Sequence, residues 1–135
     1  AAYADRTGIL LAVDTVVSVD GRALGKARDR EQAAAFLRLL CGREHDVLTA
    51  HAHARVEAGV LGEVQVLLSR ARVAFGTMTD AQREAYLDAG DWRDKAGAYG
   101  IQSDASAHAR LVAGEIDTVI GLSLRTVREI LALHA

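Results

Sequence analysis

The sequence has no proline, although average usage of about 5% would give roughly six or seven in a chain of this size. It shows no repeat, low-complexity tract or linker, so the 135 residues read as one domain, 1–135, with half of them apolar. Cysteine occurs once. That excludes an internal disulfide and suits a reducing cytoplasm, with Cys41 read as a small buried or half-buried apolar residue beside a helix end. The apolar runs are far shorter than a bilayer span, and the opening Ala-Ala-Tyr-Ala-Asp-Arg lacks the pattern of a signal peptide. Positive charge is not in excess: 16 basic side chains face 18 acidic ones, for a net charge of −2. A protein that coats nucleic acid or a membrane surface is therefore excluded, and any phosphate recognition has to be local. Neither a Walker Gly-x-x-x-x-Gly-Lys-Ser/Thr loop nor a Rossmann Gly-x-Gly-x-x-Gly turn is present.

What is present alternates between strand and helix patterns. Ile9 to Val13 is an apolar run that ends at Asp14, and Thr15 to Val19 continues it with β-branched residues. Asp20-Gly21 signals a tight turn, after which Arg22 to Gly25 can return as a partner strand. Ala33, Phe36, Leu37 and Leu40 have helical spacing, with Asp29 as N-cap and Gly42 as a stop. Asp46 to His53 and Val64 to Phe75 read as strands, the second changing phase near Arg70. Thr79 to Ala89 reads as a helix ended by Gly90. Leu111 to Leu122 reads as strand-like around Val119-Ile120, and Ser123 caps a last helix carrying Leu124, Val127, Ile130, Leu131 and His134. Interleaved elements of this kind make an α/β domain.

The chemistry concentrates in residues 91–102, Asp-Trp-Arg-Asp-Lys-Ala-Gly-Ala-Tyr-Gly-Ile-Gln. Two glycines permit close backbone approach, Lys95 offers a compact cation for phosphate, and Gln102 offers a donor and an acceptor for a base edge. The segment reads as a binding loop for an anionic, hydrogen-bonding ligand. Asp14 and Lys26 flank the first hairpin. Asp14 is suited to ligating Mg²⁺ or orienting a water and Lys26 to holding a phosphate, against an ordinary strand-end aspartate and a solvated lysine. His51 and His53 share a strand face near His45 and Asp46, but no Cys or Glu completes a zinc spacing, so surface or half-buried histidines are expected. Trp92 and Tyr99 could stack on a base or serve the core equally well. Arg70, Arg72 and Arg110 are further phosphate candidates on amphipathic strands. Ser69 and Ser123 lack the company of a nucleophilic triad.

Taken in order, several blocks resemble the Maf family of nucleoside triphosphate pyrophosphatases. They are Asp14-Thr15-Val16-Val17, Asp20-Gly21-Arg22 with Leu24-Gly25-Lys26, and Arg28-Asp29-Arg30-Glu31-Gln32-Ala33. Then follow Gly42-Arg43-Glu44-His45-Asp46-Val47-Leu48-Thr49, Arg72-Val73-Ala74-Phe75, Asp94 to Gln102, and Val119-Ile120-Gly121-Leu122. The resemblance implies an α/β fold of the inosine-triphosphatase-like kind, a mixed central sheet flanked by helices with a cleft between two lobes. It implies metal-dependent hydrolysis (Mg²⁺ or Mn²⁺) of a nucleoside triphosphate to monophosphate and pyrophosphate, and a homodimer in the cytoplasm. By the same resemblance Asp14 is the proton acceptor and lies at the metal, Thr15 and Gln102 govern substrate choice, and Lys26 and Lys95 bind phosphate. The form Asp-Lys-Ala-Gly-Ala-Tyr-Gly-Ile-Gln resembles the branch acting on dTTP and UTP. The family's initial Ser-x-Ser-Pro-Arg-Arg loop has no counterpart in residues 1–13, so roughly fifty to sixty residues, one strand–helix–strand unit, are expected to be absent. Ala27 and Ser123 stand where the family has proline, and Ser103 where it has glycine. A catalytically impaired nucleotide-binding module of the same ancestry is the alternative.

Overall fold

The computed structural model describes residues 5–102 and 108–135; Ser103 lies outside them. In chain order the elements are β1 (Gly8–Val19), β2 (Arg22–Leu24), α1 (Arg30–Leu40), β3 (Arg43–Glu57), β4 (Val60–Leu61) and β5 (Gln65–Phe75). Then come α2 (Asp80–Ala89), β6 (Ala109–Ala113), α3 (Ile116–Ile120) and α4 (Leu124–Leu133). The strands form one six-stranded sheet ordered β2-β1-β3-β5-β6, with β4 beside β3. The α/β class holds, but every ladder among the described residues is antiparallel, where a mixed sheet was expected. Antiparallel neighbours need only short turns, and the chain supplies them. Asp20 and Gly21 both take positive φ, the geometry that a two-residue hairpin turn requires. No described helix is long and apolar enough to cross a membrane.

The helix ends follow side-chain chemistry. The Asp29 carboxylate accepts the Gln32 backbone N–H at 2.8 Å to start α1, and Thr79 and Gln82 form a reciprocal capping box on α2. Ser123 caps α4 by accepting from the Thr126 N–H. Cys41 is half-buried at the C-terminal cap of α1. In α4 only Thr126 and Ile130 are buried, and Leu124 and Leu131 lie exposed.

Two expectations about strands are corrected. Val119 and Ile120 belong to the short helix α3, and the strand of this region is β6, earlier in the chain. Two β-branched neighbours resemble a strand, but the Gly121 and Leu122 N–H groups both bond the Asp117 carbonyl and close a helical turn. The phase of β5 does not change near Arg70 either, because its register with β3 is continuous from Phe75 back to Gln65. What changes is the cover: Val66 and Leu68 are exposed, whereas Ala71, Val73 and Phe75 on the other face are buried.

That covered face positions the site. Val17, Val47, Val73 and Phe75 pack with Leu37 and Leu40 of α1, Tyr86 and Leu87 of α2, and Trp92, Ala98 and Tyr99 of the following loop. Farther along the same face, α3 and α4 lie over Thr49, His51 and Ser69. A cleft remains between these two coverings. After Leu24 the chain leaves β1, and Gly25 and Lys26 pair instead with Ala96 and Gly97. On the N-terminal side of Val17, therefore, β1 has no β2 partner and its edge opens into the cleft.

The 91–102 loop is held by three side-chain hydrogen bonds. The Tyr86 hydroxyl donates to the Ala98 carbonyl at 3.0 Å, and the Trp92 indole N–H donates to the Leu87 carbonyl at 3.1 Å. Tyr99 and His45 share a buried hydrogen bond of 2.5 Å. Asp94 and Ala98 adopt φ of 61° and 67°, left-handed conformations that non-glycine residues take at a cost. Gly97, at φ 67°, sits so close to β1 that a Cβ would lie 2.7 Å from Val17 Cγ2.

Two outcomes follow from this packing. Gly97→Ala should lower stability by about 2–4 kcal/mol, the sum of left-handed strain and overpacking, as read from denaturant midpoints. His45 concerns pH. Burial lowers its pKa from 6.5 to about 4, with Asp46 opposing and Arg72 assisting. The neutral ring is thus the folded form, and the unfolded chain binds the proton first. The stability this ring contributes is complete above pH 6.5 and is lost as pH falls towards 4, by about 2–3 kcal/mol. Denaturant curves at pH 7 and pH 4.5 should show a smaller acid loss in His45→Gln than in the parent.

Candidate active site

The cleft has a volume of about 460 Å³, and Asp14, Thr15, Lys26, Lys95 and Gln102 all line it. Val13, Thr15, Val17 and Val47 form its floor, the 91–102 loop one wall, and Val119 and Ile120 of α3 the other. All five residues singled out in the sequence are thus brought together. Lys26 and Lys95 are the only lysines of the chain, and they meet because Lys26 bridges Ala96, the neighbour of Lys95. None of the lining residues is an arginine.

Asp14 sits at the open edge of β1 with its carboxylate exposed. Its Oδ1 accepts the Thr15 N–H at 3.0 Å, a donor that no strand occupies on that side. Among the described residues neither Asp14 nor the two lysines forms a salt bridge. Asp91 and Asp94 also line the cleft, so among the described residues three carboxylates face two ammonium groups. Among the described residues no three His, Cys, Asp or Glu side chains cluster as a ready-made metal cage. Hard oxygen donors in this number still fit Mg²⁺, which keeps several waters and takes one or two carboxylates together with substrate phosphate.

The remaining candidates are placed elsewhere. His45, His51 and His53 are at most 2% exposed, so they are neither surface nor half-buried groups. His51 Nε2 accepts the Ser123 N–H at 3.0 Å, His53 shares a 2.8 Å hydrogen bond with His134, and His45 holds Tyr99. These rings take the place of apolar side chains beneath α4 and the loop. Trp92 and Tyr99 are 6% and 4% exposed and serve the core, although Tyr99 still borders the cleft. Arg70 and Arg72 lie on the opposite sheet face, where they pair with Asp46 and Glu44 at 2.6 and 2.7 Å. Arg110 borders a separate depression beside Gly42 and Phe75. Ser69 and Ser123 are spent on Thr118 and on the α4 cap.

One functional feature was not seen in the sequence. Thr15, Thr49 and Ser69 stand opposite one another on three adjacent strands. Thr15 Oγ1 and Thr49 Oγ1 are 2.9 Å apart, Thr49 donates to the Thr118 carbonyl at 2.7 Å, and Ser69 bonds the Thr118 hydroxyl. Hydroxyls at positions 15, 49 and 69 carry no shared signal along the chain. Only the strand register aligns them.

A dTTP/UTP pyrophosphatase of Gluconobacter oxydans is 41% identical over 131 residues, 97% of this chain and 60% of its own length. Proteins of the same name from Zymomonas mobilis and Hyphomonas neptunium are each 41% identical, covering 90% and 97% of this chain and 58% and 67% of their own lengths. The chain thus spans about 60% of the length of curated relatives it matches. The family model described as "Maf-like protein" matches residues 1–134, and the chain belongs to the Maf family.

Proposed function

We propose that this chain carries the nucleotide cleft of a nucleoside triphosphate pyrophosphatase acting on dTTP and UTP. The observation that carries the reading is the convergence of Asp14 with the only two lysines of the chain in one cleft that no arginine among the described residues lines. The names of the relatives supply the substrate class.

In this reading Lys26 and Lys95 hold the triphosphate, their compact ammonium groups acting as point charges. The Asp14 carboxylate, exposed and without an ion-pair partner, takes a proton from a water that attacks the α-phosphorus. The α–β anhydride bond breaks, and pyrophosphate leaves with its charge spread over oxygens facing the lysines. Thr15 and Gln102 face the nucleoside. Three carboxylates against two ammonium groups disfavour a polyanion alone, so a divalent cation, Mg²⁺ or Mn²⁺, held at Asp14 would offset the phosphate charge. The single free cysteine fits a cytoplasmic setting. No arginine among the described lining residues shares the charge of the transition state, which favours a second reading, nucleotide binding without turnover.

Pyrophosphate release from dTTP and UTP, measured with Mg²⁺ or Mn²⁺ and again after chelation, separates the two. The first reading expects turnover that chelation abolishes and that Asp14→Asn lowers by about 100-fold or more in kcat. Binding of UTP without any pyrophosphate release establishes the second. A chain that neither binds nor hydrolyses a pyrimidine triphosphate overturns both.

A further inference from the structure

The hydroxyl row beneath the cleft fixes what Thr15 can offer a ligand. Thr49 is fully buried, and its hydroxyl carries one proton. That proton goes to the Thr118 carbonyl, 2.7 Å away, since a carbonyl can only accept. The carbonyl needs it. Thr118 lies in the last turn of α3, and the Leu122 N–H that would serve it in a longer helix bonds Asp117 instead. In the 2.9 Å contact between Thr15 and Thr49, Thr15 is therefore the donor. Its only proton is spent inside the protein, and its lone pairs remain for the cleft.

We infer that Thr15 is a fixed hydrogen-bond acceptor in the cleft, and that Thr49 and the α3 carbonyl of Thr118 are the positioning groups that fix it, so the site selects nucleosides presenting an N–H or O–H donor there. The inference rests on the nucleotide reading of the cleft. The matching ligand chemistry is the imide N–H of uracil or thymine, or a sugar hydroxyl. Cytosine presents a ring acceptor at the position of the imide N–H and meets lone pairs with lone pairs. This goes beyond Thr15 lining the site, because the selectivity is set two residues away from the ligand, at a buried side chain that never touches it.

The sheet holds the relay rigidly. Thr15 and Thr49 are opposed in the β1–β3 ladder, and Thr49 and Ser69 are opposed in the β3–β5 ladder. Ser69 holds the Thr118 side chain from below, so the helix end cannot drift without breaking two contacts. Gly121 closes the arrangement from above: a Cβ there would stand 3.5 Å from the Thr15 hydroxyl oxygen.

The test is calorimetric, with α,β-imido analogues of UTP, N3-methyl-UTP, 3′-deoxy-UTP and CTP, so that binding is read apart from hydrolysis. In the parent chain, either N3-methyl-UTP and CTP together or 3′-deoxy-UTP alone should bind about five- to tenfold more weakly than UTP, the worth of one neutral hydrogen bond. The first pattern identifies the base as the donor and the second the sugar. Thr49→Val frees the Thr15 proton, so the preference seen in the parent should shrink below about twofold, and Thr49→Ser should restore it. Circular dichroism verifies folding of each variant. Should Thr49→Val not fold, Thr15→Val carries the same expectation from a half-buried position. A folded Thr49→Val that keeps the full preference overturns the inference while leaving the nucleotide reading intact, as does a folded Thr15→Val that keeps it. A parent chain that binds UTP and both donor-deleted analogues equally does the same. A parent chain that binds none of the nucleotides overturns the nucleotide reading and the inference with it.

Discussion

The contact of Gly97 with Val17 is the constraint on which the cleft depends. With only hydrogen on its α-carbon, the loop backbone settles directly on β1, where a Cβ would lie only 2.7 Å from Val17 Cγ2. This seat lets Gly97 donate to the Gly25 carbonyl at 3.1 Å and lets Lys26 bridge Ala96. β2 is consequently drawn away from β1 after Leu24, which exposes the edge where Asp14 and Thr15 lie. One close approach thus creates the opening and carries Lys95 and Gln102 to its rim. The strain at Asp94 and Ala98 is sustained because Tyr86, Trp92 and His45 each hold the loop through a buried hydrogen bond.

Much of this was legible in the chain, and the reason differs from element to element. Asp29, Thr79 and Ser123 announce their helices because a capping side chain acts on backbone only three residues away. Asp20-Gly21 announces its hairpin through the same kind of local geometry. The loop stood out because a lysine, glycines and a carboxamide fall within twelve residues. What stayed hidden depends on register or on cover. A five-residue helix such as α3 is too short for helical periodicity to outweigh the β-branched pair Val119-Ile120. The apparent phase shift in β5 came from reading a change of cover as a change of backbone. Histidine is ambiguous from sequence, so the burial of His45, His51 and His53 appeared only once α4 and the loop were seen above them.

The distribution of cations has a physical logic. Arginines at 70 and 72 are held by cross-strand carboxylates on the far face, where a planar guanidinium suits fixed carboxylate partners. The two lysines stand in the cleft, and neither forms an ion pair among the described residues. An ammonium on a flexible stem can follow a phosphate whose position changes as a bond breaks, whereas a guanidinium already paired has to give up one anion to hold another. With Asp14, Asp91 and Asp94 nearby, the cleft has a near balance of charge, so a polyphosphate and a divalent cation are accommodated better together than either is alone.

In the proposed reading, the two polar groups that meet the nucleoside do not discriminate equally. Gln102 is exposed, and its carboxamide can turn to offer either a donor or an acceptor, so it can satisfy a uracil edge or a cytosine edge with little difference in energy. Thr15 has no such freedom while Thr49 serves the end of α3. Selectivity requires a group that cannot adapt to the wrong partner, because a site that rotates to fit every ligand gains affinity for all of them. The loop that is most conspicuous in the sequence therefore supplies contact, and the inconspicuous threonine pair beneath it supplies the preference.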